Sequence, residues 1–112
     1  MNAEQVARND ALYRDANERI ERAAEAHDFG EQIPFICECA DPSCTDIVPL
    51  TLNEYEEIRA SPVHFFNVPG HEVRNQAHLQ VVLRRPGYVI VEKIGRAGEI
   101  ARAHDRRGTA HG

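Results

Sequence analysis

Three cysteines lie within eight residues of this chain, and their spacing constrains the fold more than any other feature. Cys37, Cys39 and Cys44 form a C-x-C-x4-C pattern and are the only cysteines among the 112 residues. An odd number of cysteines is a poor basis for a disulfide scaffold. Three thiols this close, on a turn between two strand-like segments, are placed to converge on one ion. The pattern therefore predicts a metal site.

Zinc suits soft thiolate ligands and takes four ligands in a structural site, so a fourth ligand is needed. We predict His71, because it follows Pro69-Gly70, a tight turn suited to aiming an imidazole back at the cysteines. The alternatives are His64, Asp41, Asp46 and a water molecule. His64 lies on a predicted strand, which favours packing, and both aspartates suit turn positions that accept backbone amides.

The competing hypothesis is that the cysteines are small hydrophobic residues of the core. Zinc is favoured over it because Cys37 and Cys39 point to the same side of a strand, and Cys44 follows a proline turn among polar residues. Structural zinc contributes about 10–16 kcal/mol in finger peptides, whereas whole domains are stable by only about 5–15 kcal/mol. With no Trp and only four Phe and three Tyr, the chain is expected to depend on the ion for folding.

Residues 3–27 are predicted to form one long helix, because alanines recur and Glu or Asp precedes Arg at i,i+4 four times. Gly30 is the predicted C-cap. The apolar seam of this helix is thin and consists of Val6, Tyr13, Ile20 and His27. Such a seam suits either a helix packed on its own domain or one that pairs with a partner helix or a second copy.

The rest of the chain alternates short strands with short helices. A capping box at Thr51-Leu52-Asn53-Glu54 predicts the start of a helix. Two apolar runs within residues 79–94 predict a hairpin, with a helix over 72–84 as the alternative. The other predicted elements are strands over 33–36, 47–50 and 63–68 and helices over 52–60 and 97–104.

These elements predict an α+β fold class: a long N-terminal helix, a small zinc-stapled domain of a β-hairpin and a short helix, and a second hairpin. The domain is only loosely similar to treble-clef zinc domains, because its short helix offers no pair of metal ligands. We divide the chain into an N-terminal amphipathic helix (1–30), a zinc-binding α+β domain (31–105) and a disordered tail (106–112).

Charge is distributed unevenly over the net −5 of the chain. Residues 1–60 carry 14 acidic and 5 basic residues, whereas residues 61–112 carry 4 and 8. An acidic protein is repelled by nucleic acid as a whole. A local basic patch is still available in the second half, from Arg84, Arg85, Lys93, Arg96, Arg102, Arg106 and Arg107.

The chain has no apolar run of the ~20 residues that a transmembrane helix needs. Its first residues, Met1-Asn2-Ala3-Glu4-Gln5, have neither a basic nor an apolar region of the secretory type. We therefore expect a cytoplasmic protein without a membrane partner, in a compartment where thiols stay reduced.

Several motifs together resemble those of a group of short bacterial proteins, frequent in actinobacteria, that has no assigned activity. The similarity covers about residues 10–105. It is carried by Phe35-x-Cys37-x-Cys39-x4-Cys44, by Leu50-Thr51-x-x-Glu54-Tyr55-x-x-x-Arg59-x-x-Pro62-x-x-Phe65-x-x-Val68-Pro69-Gly70-His71, and by Val91-Glu92-Lys93. The resemblance implies that Cys37, Cys39, Cys44 and His71 form one motif, and it implies no activity.

The sequence contains no Gly-rich phosphate loop, G-x-S-x-G, H-E-x-x-H or zinc-deaminase pattern. We therefore predict a non-enzymatic protein-interaction adaptor or regulator that binds another protein, with self-association through the N-terminal helix as one form of partner. The alternative is a nucleic-acid-associated zinc protein that uses the C-terminal arginines. A zinc enzyme with an open coordination position and a thiol redox switch are further alternatives.

Overall fold

The structure is a computed structural model that describes residues 1–27, 30–105 and 107. Its helices are α1 (Ala3–Ala26), α2 (Leu52–Arg59), α3 (Gly95–Ala103) and a 3₁₀ helix (His71–His78). Its strands are β1 (Ile33–Ile36), β2 (Ile47–Leu50), β3 (His64–Asn67), β4 (Leu79–Arg85) and β5 (Tyr88–Lys93). The predicted α+β fold class is confirmed. Within the described ranges, no helix is both long enough and apolar enough to cross a membrane.

Helix α1 begins with a capping box that the sequence analysis did not include. The Asn2 side chain accepts from the Gln5 backbone N–H at 2.8 Å, and the Gln5 side chain accepts from the Asn2 N–H at 3.0 Å. The helix ends at Ala26 with His27 as its C-cap in an extended conformation, so the predicted cap at Gly30 is wrong. Of the predicted tail, Arg107 is described, and residues 106 and 108–112 lie outside the described residues.

Helix α1 packs on its own domain, against α3 and β1. Its buried residues are Val6, Ala7, Asp10, Arg14, Asn17 and Glu21. The predicted apolar seam is confirmed in part: Val6 is buried, Ile20 packs against the main core cluster and the Tyr13 hydroxyl contacts the cysteine loop, whereas His27 is exposed. Four polar residues spaced three or four apart face inward, and each finds a polar or charged partner there. Pairing of this kind offsets most of the cost of burying polar groups.

Two antiparallel sheets follow the helix. Strands β1 and β2 form a hairpin, and the second sheet has the order β3-β5-β4. The predicted hairpin over 79–94 is confirmed, and the alternative helix over 72–84 is wrong, because the 3₁₀ helix stops at His78 and β4 begins at Leu79. The pairing of β3 with β5, which puts Phe66 opposite Ile90, was not predicted.

The central strand β5 is buried on both faces, and this divides the core into two clusters. On one face Phe35 stacks on Tyr55 with ring centroids 4.3 Å apart, and Phe66 meets both rings edge-on. The three cysteines belong to this cluster. On the other face Phe65 and Val91 pack near α3. The candidate metal ligands therefore adjoin the main hydrophobic core.

A buried ion pair joins α1 to the end of β5. Lys93 Nζ lies 2.9 Å from Asp10 Oδ2, and the two side chains are 0% and 1% exposed. Burial raises the pKa of the Asp10 carboxyl to about 6, although the positive charge of Lys93 opposes the shift. Removing one partner would leave the other charge buried without compensation, which is costly.

We predict that Asp10→Ala or Lys93→Ala alone destabilises the protein by about 3–5 kcal/mol. The double variant Asp10→Leu, Lys93→Met should lose much less, because it leaves no unpaired charge. Urea unfolding followed by circular dichroism measures all three. A double variant whose loss equals the sum of the two single losses would show that the charges are not coupled.

Candidate metal centre

Four side chains with metal-binding atoms converge at one point in the described part of the chain. One ligand atom from each of Cys37, Cys39, Cys44 and His71 lies within 4.8 Å of all the others. His71 Nδ1 is 3.5 Å from Cys37 Sγ and 3.7 Å from Cys44 Sγ. A tetrahedral zinc ion, about 2.3 Å from sulfur and 2.0–2.1 Å from nitrogen, would hold such atoms about 3.5 Å apart. The spacing is compatible with a single metal ion among the four atoms.

The cysteines lie on the loop between β1 and β2. The hydrogen bond from Cys37 N–H to Asp46 O, at 2.9 Å, continues the hairpin ladder into this loop. A turn then closes through Cys44 N–H, which donates to Asp41 O at 3.0 Å. Ala40 adopts a left-handed conformation with φ 68°, which an alanine rarely takes. These features reverse the chain between Cys39 and Cys44 and bring the sulfurs together.

His71 lies in the 3₁₀ helix that precedes β4 of the second sheet. Gly70, with φ 99°, precedes the 3₁₀ helix, and His71 N–H donates to Val68 O at 3.0 Å. Nδ1 of the imidazole faces the sulfurs, while Nε2 lies 3.4 Å from Asp46 Oδ2. A carboxylate behind a ligating histidine fixes the ring orientation and makes the ring a better ligand. Asp46 therefore belongs to the site as a positioning residue.

The other predicted candidates for the fourth ligand lie outside the cluster. His64 is on β3, where its Nε2 lies 3.3 Å from Glu92 Oε1. Asp41 accepts hydrogen bonds from the Ser43 backbone N–H and hydroxyl, as expected for a turn residue. The Asp46 carboxylate contacts the histidine, and the residue reaches Cys44 only through its backbone. Of the alternatives, the structure therefore brings only His71 to the cysteines.

The three cysteines of the cluster differ in pKa. A hydrogen bond from the Cys37 thiol lowers the pKa of Cys39 to about 4, and the same bond raises the pKa of Cys37 well above its usual range. Burial raises the pKa of Cys44. The Val68 N–H also donates to Cys37 Sγ at 3.3 Å. Since metals bind the thiolate, the lowered pKa of Cys39 favours metal binding at this sulfur.

A row of polar side chains on α1 holds the cysteine loop in place. Asn9 Nδ2 donates to Ala40 O at 2.8 Å, and the Tyr13 hydroxyl lies 2.6 Å from Asp41 O and 2.9 Å from Cys44 O. Asn17 accepts from Ile36 N–H and donates to Ile36 O. The sequence analysis missed this role. The signal was present, because residues 9, 13 and 17 are four apart and share one face of a helix.

Glu38 lies between two of the cysteines but its side chain is not part of the cluster. The residue is fully buried, and Asn17 Nδ2 donates to its Oε2 at 2.9 Å. Burial raises the pKa of this carboxyl. Because strand side chains alternate, Glu38 points away from its two cysteine neighbours. It therefore supports α1 and is not placed as a general base beside a bound ion.

Comparisons of this chain with protein-family models, with curated proteins and with solved structures found no match.

We predict that Asp46→Asn lowers zinc affinity about tenfold, because loss of a carboxylate behind a ligating histidine typically has an effect of this order. Competition with a chromophoric chelator measures the affinity. Glu57→Gln is the matched control, since it removes one exposed carboxylate on α2 that is not a member of the cluster. Equal affinities for the two variants would contradict the positioning role of Asp46.

Proposed function

We propose that this chain is a small zinc-binding protein in which the ion has a structural role. The observation that carries the proposal is the convergence of Cys37, Cys39, Cys44 and His71 within 4.8 Å. Three sulfurs and one imidazole nitrogen form a donor set that suits zinc, because thiolates are soft ligands and a mixed S/N set favours tetrahedral geometry. The resemblance to the actinobacterial group supports the same four residues as one motif.

A structural role follows from the number and the setting of the ligands. Structural zinc sites use four protein ligands, whereas catalytic sites keep one position open for water. Four ligands are available here, and the three cysteines are at most 6% exposed. Glu38, the nearest carboxylate in sequence, is held by Asn17 and not at the cluster. An ion bound by all four groups would have no open coordination position and would be shielded from substrate.

The ion would join two parts of the fold that also share the main hydrophobic core. The cysteines come from the loop of the β1–β2 hairpin, and the histidine comes from the 3₁₀ helix that precedes β4. A bound ion therefore links the first sheet to the second. Binding of structural zinc is comparable in free energy to the stability of a whole small domain.

We predict that the purified protein holds about one zinc ion per chain and that Cys39→Ser or Cys44→Ala abolishes its retention, because a site missing a thiolate binds far more weakly. Both variants should also lose cooperative unfolding. His71→Ala should retain zinc more weakly, since three thiolates and a water can still coordinate it. Elemental analysis and thermal unfolding, with and without a chelator, provide the measurements.

The matched control is His64→Ala, which removes a histidine of similar exposure that lies beside Glu92 and outside the cluster. It should keep the full zinc content. Unchanged metal content in Cys39→Ser or Cys44→Ala would refute the site, and iron or copper in place of zinc would refute the choice of metal.

We further propose that the zinc-stabilised domain acts as an adaptor or regulator that binds an extended, acidic segment of another protein along β4. Strand β4 is at the outer edge of its sheet, and Val81, Val82 and Leu83 are 37%, 46% and 41% exposed. Exposed apolar edge strands are templates for pairing with an added strand. Arg85 at the end of β4 favours an acidic partner.

The alternative of nucleic-acid binding has less support from the same structure. Lys93 is buried against Asp10, Arg84 pairs with Glu72, and Arg96 and Arg107 each contact carboxylates. Arg106 lies outside the described residues. Because these carboxylates occupy much of the predicted basic patch, fewer cations are free to neutralise phosphates.

We predict that a short peptide of alternating valine and glutamate shifts the amide resonances of β4, and that Val82→Lys weakens its binding about tenfold, since a charged edge residue opposes strand addition. Ile47→Lys is the control, because Ile47 is also exposed, at 53%, but lies on β2. Resonance shifts confined to other parts of the chain would contradict β4 as the binding surface.

A dimer abolished by Leu12→Lys would instead favour self-association through α1, whose outer face exposes Leu12 at 64%.

A further inference from the structure

A cavity of about 340 Å³ lies beside α1 and is lined by none of the four residues of the metal centre. Helix α1 contributes Ala7, Ala11 and Arg14 to its wall, α3 contributes Ala101, and β3 contributes Phe65. This volume is at the lower end of the range for pockets that hold small molecules. The cavity is therefore large enough for a compact ligand.

Charge in the lining favours an anion. Among the residues that line the cavity, five are arginines and three carry carboxylates, and Arg107 also pairs with Glu21 and Glu56 outside the lining. The arginines are Arg14, Arg19, Arg22, Arg59 and Arg107. A concave site lined by one predominant sign of charge attracts ions of the opposite sign. This sign contrasts with the net charge of −5 on the whole chain.

Two of these arginines are buried and have hydrogen-bond donors to spare. Arg59 Nη2 donates to Asp105 Oδ1 at 2.9 Å, and both terminal nitrogens of Arg14 donate to backbone carbonyls. Among the described residues, no acceptor is bonded to Arg14 Nε or to Arg59 Nε and Nη1. Arg14 is 6% exposed and Arg59 is 5% exposed. Buried N–H groups without acceptors are costly. These nitrogens have almost no accessible surface, so the oxygens of an anion would bond to them only if the two guanidinium groups shifted toward the cavity.

Apart from His104, the rest of the wall is apolar. The Arg14 guanidinium lies 3.7 Å from the centre of the Phe65 ring, and three alanines leave space around this pair. We propose that the cavity binds a small organic oxyanion whose carboxylate or phosphate group meets the arginines and whose compact apolar body lies against Phe65 and the alanines. This site shares no residue with the metal centre.

The test is calorimetric titration of the full chain with four probes: benzoate, phenyl phosphate, inorganic phosphate and neutral benzamide. Benzoate or phenyl phosphate should bind, and the tighter of the two identifies the head group. Benzamide should bind at least about tenfold more weakly, because it lacks the charge that the arginines recognise. Failure of both organic anions to bind, or equal binding of benzamide, would overturn the proposal.

Ala11→Leu locates the site, because it fills the cavity from α1 without removing an arginine. The tighter anion should lose at least about tenfold in affinity, while zinc content and the melting temperature stay close to wild type. Ala26→Leu is the control, since Ala26 is an exposed residue of α1 that does not line the cavity. Binding that survives Ala11→Leu unchanged would place the anion elsewhere and refute the cavity as its site.

Discussion

The central constraint in this structure is the convergence of three sulfurs and one imidazole within 4.8 Å. Three thiolates held this close would repel one another. An ion that takes four ligands offsets this repulsion by replacing the thiol protons with shared positive charge. The loop, the 3₁₀ helix and the edge of the aromatic cluster are then fixed relative to one another.

Helix α1 is the second element on which this arrangement depends, and it acts through polar groups. Its inner face meets a loop whose backbone carbonyls have few partners in either sheet. Asn9 and Tyr13 supply donors to those carbonyls, and Asn17 bonds both backbone groups of Ile36. An apolar helix face would have left these buried groups unsatisfied. The inner face of α1 is therefore polar because it covers backbone groups that need hydrogen-bond partners. This also explains why the apolar seam predicted from the sequence is thin.

Features that depend on residues close together in the sequence were predicted correctly. The capping box at Thr51 and Glu54, the strands beside the cysteines and the turn at Pro86-Gly87 follow from neighbouring residues, and the structure contains all of them. The pairing of β3 with β5 depends on contacts between distant segments, which no short window of sequence reveals. The inward face of α1 was missed for a related reason, since Asp10 and Arg14 suit a buried position only opposite Lys93 and the Phe65 ring.

Helix α1 also separates the two candidate sites. Asn9 and Tyr13 contact the cysteine loop, whereas Ala7 and Ala11 line the cavity. These pairs are offset by two positions, or about 200° around the helix, so they face in nearly opposite directions. Because one rigid element carries both sets of contacts, an ion at the cysteines and an anion at the arginines would each restrain the same helix from a different side. The domain thus has a physical means of coupling its two sites through the position of α1.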